Sequence, residues 1–373
     1  MIRYIHERPD WPNFRWDNAR LTDRLADVRY RQGLLLGRMA SLGFSIRAEA
    51  GLEMLTQDVV TSSAIEGERL DVAQVRSSLA RKLGLDIGGL VPATRHVDGI
   101  VEMMLDATQR YDEPLSAERL WGWHTTLFPV PYGLAGRITV GAWRSGENGP
   151  MQVVSDYTGH ENVHYEAPAA DRLDVEMQRF FAWFNTPSSL DPFLKAGLAH
   201  LWFVSIHPFE DGNGRIARAI ADCVLARSDR SPQRFYSMSR QIALDRREYY
   251  SILESTQKGD MDITPWFYWF VDCLGRAIDG AETVLDATLH RARVWQHAEK
   301  FPLNERQRRV IGRLLDNFQG RLTSGKYAKL AKCSSDTALR DIRSLMEYGI
   351  LQQMPGGGRS TNYALVEPGH EVE

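Results

Sequence analysis

Residues His207 to Arg218 read His-Pro-Phe-Glu-Asp-Gly-Asn-Gly-Arg-Ile-Ala-Arg. An imidazole, a carboxylate, a Gly-Asn-Gly turn and two arginines stand there in one ordered stretch. Gly212 and Gly214 let the backbone turn tightly and approach a ligand closely. The run after Gly214, Arg215-Ile-Ala-Arg218-Ala-Ile-Ala, is good helix-forming sequence. The N–H groups of the turn therefore open a helix, where orphan donors and the helix dipole favour an anion. Arg215 and Arg218 are three apart and share a face of that helix. Guanidinium groups suit phosphates. Asp211 adds one hard carboxylate beside the anion site, and Mg²⁺ commonly takes one or two carboxylates plus phosphate oxygens and water. His207, ahead of the turn, can serve as a general base. Alone, a Gly-Asn-Gly is most often a turn and a His before Pro a loop residue; the combination and its order carry the chemistry.

The stretch resembles the signature of the Fic family, His-x-Phe-x-(Asp/Glu)-Gly-Asn-Gly-Arg-x-x-Arg, and matches every fixed position. The resemblance implies an enzyme, a protein adenylyltransferase (nucleotidyltransferase) that moves AMP from ATP to a Ser, Thr or Tyr hydroxyl of a target protein. It implies His207 as the base on that hydroxyl and Asp211 as the Mg²⁺ ligand. Gly212, Asn213 and Gly214 would hold phosphates, Arg215 the triphosphate and Arg218 the γ-phosphate. Upstream, Ser62-Ser-Ala-Ile-Glu66-Gly67 reads on its own as a helix end with a glycine stop. It also resembles the family's inhibitory motif, (Ser/Thr)-x-x-x-Glu-(Gly/Asn). Ser62, Glu66 and Gly67 then become regulatory, with Glu66 pairing to Arg218 at the nucleotide site.

The elements around these residues follow from periodicity and turn signals. The loop is expected to be held between helices at 191–206 and from Arg215 to about Arg227. Apolar spacing predicts further helices over 18–46, 48–61, 71–84, 94–111, 116–128, 170–185, 240–257 and 262–295. Ser116 is the expected N-cap of the helix at 116–128. His124 on that helix, and the aromatics Phe180, Phe181, Trp183 and Phe184, read as packing residues. The segment Pro9 to Asp17, with two prolines and two tryptophans, reads as an extended arm docked by aromatic anchors. It also resembles the N-terminal extension of one Fic subfamily. Between 130 and 168 glycines and prolines become frequent, including Pro131, Gly133 and Gly136. Residues 151–155 and 162–165 read as a β-hairpin around a turn containing Gly159. By resemblance this hairpin is a flap that holds the target segment by strand addition. His160 and His164 lack a third ligand at suitable spacing, which argues against a metal knuckle. In 240–257, the resemblance places Tyr249 or Tyr250 near the adenine, for stacking.

A second module begins near Leu303. Three helices, over 304–316, 325–331 and 335–348, precede strands that flank a glycine-rich tip at 355–359, the pattern of a winged helix-turn-helix. Thr323-Ser324 caps the middle helix. Residues 304–366 carry eleven Lys/Arg against five Asp/Glu. That surplus suits a nucleic-acid backbone, and also leaves room for a protein-docking module. The expected fold is mostly α: a Fic-type helical core with a β-hairpin flap, plus a C-terminal winged helix-turn-helix. The expected domains are 1–93 (N-terminal helices with the inhibitory segment), 94–295 (Fic catalytic) and 300–373 (winged helix).

Composition is that of an ordinary soluble chain: 373 residues, 43% hydrophobic, 25% charged, net charge -3. Three scattered cysteines fit neither a disulfide framework nor a metal knuckle and suit a reducing cytosol. No apolar leader or membrane-length run stands out, so a cytoplasmic protein without a membrane partner is expected. The expected partners are a target protein on the 151–165 flap, the protein itself as acceptor, DNA at the C-terminal module, and a second copy in a homodimer. The rival reading is a DNA-binding transcriptional regulator whose Fic domain only senses nucleotide. Other transfers, or AMP removal, stay open at this point.

Overall fold

Side-chain caps set where most helices begin. Asp17, Asp71, Thr94, Ser116, Asp191 and Ser237 each accept a hydrogen bond from the backbone N–H two or three residues on. The structure, a computed structural model, describes residues 2–129, 138–147, 149–157, 160–315, 318, 320–355 and 361–366. Pro131, Gly133, Gly136, the turn with Gly159 and the glycine tip at 356–359 lie outside the described residues. Two compact units divide the chain, residues 1–282 and 283–373.

The first unit contains α1 (Asn18–Ala40), α2 (Phe44–Ile65), α3 (Val72–Lys82), α4 (Arg95–Gln109) and α5 (Ala117–Leu127). The hairpin β1 (Gln152–Tyr157) and β2 (His160–Glu166) follows. Then come α6 (Leu173–Asn185), α7 (Pro192–Ile206), α8 (Asn213–Asp229), α9 (Met238–Leu244) and α10 (Arg246–Gln257). The division between the units falls within α11 (Thr264–Ala298). Nearly every residue of α7 from Phe193 to Ile206 is buried, as expected for a helix apolar on all sides. It packs along α8 and forms the centre of the unit.

Two expected helices are broken. Residues 18–46 divide at 41–43, so that α2 begins at Phe44 and runs into the Ser62–Glu66 motif. Residues 240–257 divide at Asp245, whose carboxylate accepts from Gln241 Nε2 (2.8 Å) and Arg276 Nη2 (2.7 Å). The tertiary bond to Arg276 holds a break that has no glycine or proline to signal it.

The N-terminal arm docks by its aromatics, as its composition suggests. Trp11 is buried, packs edge-on to Trp202 and donates to Glu176 Oε2 at 2.8 Å. Arg15 and Met261–Ile263 exchange backbone hydrogen bonds. The arm also holds the hairpin. The Tyr165 hydroxyl donates to the Ser205 carbonyl of α7 (2.7 Å), so the bond of 3.0 Å from His6 Nδ1 must be donated by the imidazole.

The second unit contains α12 (Glu305–Leu315), α13 (Ser324–Ala331), α14 (Ser335–Glu347), β3 (Leu351–Gln353) and β4 (Tyr363–Leu365). Thr323 and Ser334 cap α13 and α14. The strands pair antiparallel, and Leu322 bridges to Tyr363. Val310, Ile311, Tyr327, Ala338, Ile342, Leu345 and Leu351 form its core. Three helices and a strand pair thus occur in the expected order. No helix among the described residues is long and apolar enough to cross a membrane.

Candidate active site

His207 ends α7 in the left-handed conformation, φ 52°. That reversal lifts its ring from the helix. Its Nδ1–H donates to the Val204 carbonyl at 3.2 Å, which leaves Nε2 with the lone pair. Burial pushes the imidazole down to about 4, so the ring is neutral at neutral pH. Arg144 holds the same residue from the other side: its Nε–H donates to the His207 carbonyl at 2.8 Å, and its side chain is buried.

The loop after His207 is closed on itself. Asn213 accepts from the Phe209 N–H at 3.0 Å and donates to the Phe209 carbonyl at 2.8 Å. Both ends of its amide are engaged there, so any phosphate contact would come from its backbone N–H. Gly212 sits at φ +81°, where a side chain would strain the turn and press on Phe128. His124 stacks on Phe209, with ring centres 4.2 Å apart. The Gly141 N–H donates to its Nδ1 (3.1 Å), so Nε2–H donates to the Asp211 carbonyl (3.3 Å). The packing residue of the sequence reading thus also fixes the carboxylate-bearing turn. Nothing in the local sequence distinguishes it, and Arg144 is equally unmarked.

A cavity of about 830 Å³ opens over this loop. His207, Asp211, Gly212, Asn213 and Gly214 line it, with Glu66 and the flap residues 151–155. Tyr249 and Tyr250 reach it from α10, and they differ. Tyr249 is buried, 2.9 Å from His200 Nε2 and packed on Trp269. Tyr250 is 40% exposed, which makes it the ring with a free face for stacking. In the flap an irregularity falls between the pairs Val153–Tyr165 and Val154–Val163 and leaves His164 outside the ladder. His164 donates to Glu254 of α10 (2.8 Å) and accepts from Ser155 (2.6 Å), which ties the flap to α10.

Behind the cavity lie the two arginines, both buried. Arg218 donates through Nε to Ser62 Oγ (2.9 Å) and through Nη2 to the Ser62 carbonyl (2.8 Å). The same Nη2 lies 2.9 Å from Glu66 Oε1. Arg218 Nη1 has no hydrogen-bond partner among the described residues. Glu66 caps α2, and Gly67 at φ +85° turns the chain away. Its carboxylate lies so close to α8 that a Cβ on Gly214 would come within 2.2 Å of Oε1. An anionic group therefore rests on the first turn of α8, where the helix dipole favours one. Arg215 is held differently, 3.0 Å from Glu68 Oε2 and stacked over Phe128.

A family profile described as Fic/DOC family matches residues 114–225, which hold the loop and most of α8. Residues 114–225 are a Fic/DOC domain. A second profile, a domain of unknown function designated DUF4172, matches residues 4–85, which hold the arm and Glu66. Protein adenylyltransferase Fic of Culex quinquefasciatus is 28% identical over 230 residues, 61% of this chain and 41% of that protein. The Drosophila virilis protein of the same name is 29% identical over 229 residues, 61% and 42%. The chain spans about two fifths of the length of these curated relatives. A Fic family protein from Desulfovibrio desulfuricans G20 shares the fold at TM-score 0.51 and 20% identity, over 94% of this chain and 96% of that one. A Fic domain containing signaling protein from Bacteroides thetaiotaomicron VPI-5482 gives TM-score 0.51 at 22% identity, over 70% and 98%.

Proposed function

We propose that the Fic domain transfers AMP from ATP to a hydroxyl side chain of a protein. One observation carries the reading: a neutral imidazole and a helix N-terminus face one cavity, with two buried arginines behind that terminus. The amides of the Gly212–Gly214 turn would receive the polyphosphate, and Tyr250 would stack on the base. Asp211 can hold Mg²⁺, since its half-exposed carboxylate lines the cavity beside that turn and a single carboxylate with phosphate oxygens is a common donor set. The cation, when bound, neutralises charge on the phosphates. The acceptor hydroxyl, presented along the β1 edge of the flap, gives its proton to His207 Nε2 as its oxygen bonds to the α-phosphorus. The bond from the α-phosphorus to the bridging oxygen breaks and pyrophosphate leaves. Arg218 would take the γ-phosphate once Glu66 vacates it, so Glu66 restrains the reaction. The test is incubation of the full chain and of Glu66→Gly with α-labelled ATP. Covalent label that rises in the variant supports the reading; label in neither overturns it.

A second reading concerns residues 283–373 and rests on charge. Arg308, Arg309, Arg313, Arg321, Lys329, Lys332, Arg340 and Arg343 are exposed and have no ion pair among the described residues. Cations left unpaired beside a helix-turn-helix suit the phosphates of duplex DNA. Nucleotide-dependent duplex binding without any covalent label would favour a regulator over a transferase.

A further inference from the structure

Two carboxylates of one short segment reach the two arginines of α8, but from different sides. Glu66 lines the cavity and lies on the first turn of the helix. Glu68 does not line the cavity. Its Oε2 pairs with Arg215 Nη1 at 3.0 Å, and its Oε1 bonds to His96 Nε2 on α4. Arg215 is buried, with its guanidinium 5.1 Å from the centre of the Phe128 ring. Its other terminal nitrogen, Nη2, stops 4.0 Å from Asp211 Oδ1. That is the outer limit of an ion pair.

We propose that Glu68 is a positioning residue that holds Arg215 against Phe128 and away from Asp211. It thereby keeps the Asp211 carboxylate and the turn open to the polyphosphate. The inference rests on the reading of this cavity as a nucleotide site. Its sign is opposite to that of Glu66, two residues earlier. Geometry sets the sign. A buried guanidinium that loses Glu68 still needs a partner, and Asp211 is the carboxylate beside its free end. Closure of that pair would neutralise both groups at the mouth of the anion site. Glu68 is also anchored independently of the inhibitory contact, because His96 belongs to α4, which packs on α8. Burial alone would raise the Glu68 carboxyl, but the His96 hydrogen bond, with the charges of His96 and Arg215, holds it below its ordinary value. Gly67 at φ +85° separates the two carboxylates and directs them to different sides.

The experiment is calorimetric titration of ATP into the full chain, with and without Mg²⁺, alongside label transfer from α-labelled ATP. In the Glu66→Gly background, Glu68→Gln should weaken ATP binding about tenfold and raise the Mg²⁺ concentration needed for half-maximal binding. The KM for ATP should rise by more than kcat falls. The effect should vanish when Arg215→Ala is also present, because residues in one network are not additive. His96→Gln, which loosens Glu68 without removing it, should shift binding the same way by less, and serves if Glu68→Gln does not fold. Unchanged ATP and Mg²⁺ titrations in both variants would overturn the proposal. So would increased transfer in Glu68→Gln alone, which would make Glu68 a second restraint. Absence of label in every variant would sink the transfer reaction instead and leave Glu68 judged by the titrations.

Discussion

The buried arginines of the first unit and the exposed row of the second are held in opposite ways. In the first, Arg218, Arg215 and Arg234 are buried, and each is tied to carboxylates from other elements. Arg234 lies 3.0 Å from Asp222 and 3.6 Å from Asp229. In the second, the row from Arg308 to Arg343 stands in solvent, and the neighbouring Arg306 pairs with Asp341. Burial fixes a guanidinium in one geometry and makes its loss expensive. Exposure leaves a cation mobile, cheap to replace and available to a polyanion. The first arrangement suits a site that must place one phosphorus, the second a surface that meets many phosphates.

The largest effect should come from the imidazole that faces the cavity. His207→Ala should lower AMP transfer by about 10²–10⁴-fold, the range of general-base catalysis. ATP binding should survive, because the base faces the acceptor hydroxyl. Single-turnover transfer together with equilibrium ATP binding checks both halves, and undiminished transfer would remove His207 from its role.

The contrast between the units is sharpest in stability. Arg218→Ala strands Glu66 and the Ser62 carbonyl around a buried void and should cost about 3–5 kcal/mol in denaturant unfolding. Arg340→Ala and Arg343→Ala, both exposed, should each stay within about 0.5 kcal/mol. Similar costs for the two classes would mean that burial does not separate them. Transfer should not rise in Arg218→Ala, because the phosphate contact is lost along with the restraint.

Glu66→Gly should raise transfer by about 10²-fold, the scale on which a small misplacement of reacting groups acts. Label incorporation, including on the protein itself, reads this directly. Equal or lower incorporation in the folded variant would make Glu66 an ordinary helix end, or assign it to AMP removal.

Much of this site was readable from residues 207–218 and 62–67. A nearly continuous motif states its own geometry, and the runs on either side of it are plain helix-forming sequence. The Glu66–Arg218 contact joins two segments about 150 residues apart, yet each half has local sequence character. The supports are different. Arg144, His124, Glu68 and His96 act through tertiary bonds to backbone atoms or to one another and Arg215. An isolated Arg or His on a helix or loop gives no local sign of such a partner. The break at Asp245 was hidden for the same reason, since Arg276 of α11 satisfies the carboxylate there. Adjacent on one helix, Tyr249 and Tyr250 must point in different directions, but only the packing of α10 decides that Tyr249 is the buried one and Tyr250 the exposed one.

For the exposed row, Arg340→Glu with Arg343→Glu should weaken duplex binding about tenfold at moderate salt and flatten its salt dependence, because each phosphate contact releases counterions. AMP transfer from ATP onto the protein itself should be unchanged in that variant. Full-length protein with no duplex affinity even at low salt would move the second unit to protein docking.

A further effect concerns pH and rests on the buried imidazoles of the first unit. The first unit buries imidazoles as well as arginines. Burial lowers His124 to about 4, His200 to about 3 and His207 to about 4. Above about 6.5 these rings are neutral folded or unfolded, so they add no pH dependence. Between 6.5 and about 4 the unfolded chain takes up protons that the folded rings refuse. The unfolded state then binds more protons, and stability falls as pH falls. Each ring should contribute roughly 1–2 kcal/mol of loss between pH 7 and 5. Asp222, pushed up by burial and by Asp58, and Asp229, pushed up by burial, work in the opposite sense, while His6, lowered by burial, adds to the three rings. Tryptophan fluorescence should report mainly the first unit, which holds nine of the ten tryptophans. Its unfolding midpoint should drop from pH 7 to pH 5, and His124→Gln should reduce that drop. A midpoint equal at both pH values would mean that the His124 and His200 rings are not held neutral. The transfer rate measured over the same interval, below the unfolding temperature, should show no acid limb near 6.5, since His207 keeps its lone pair down to about 4.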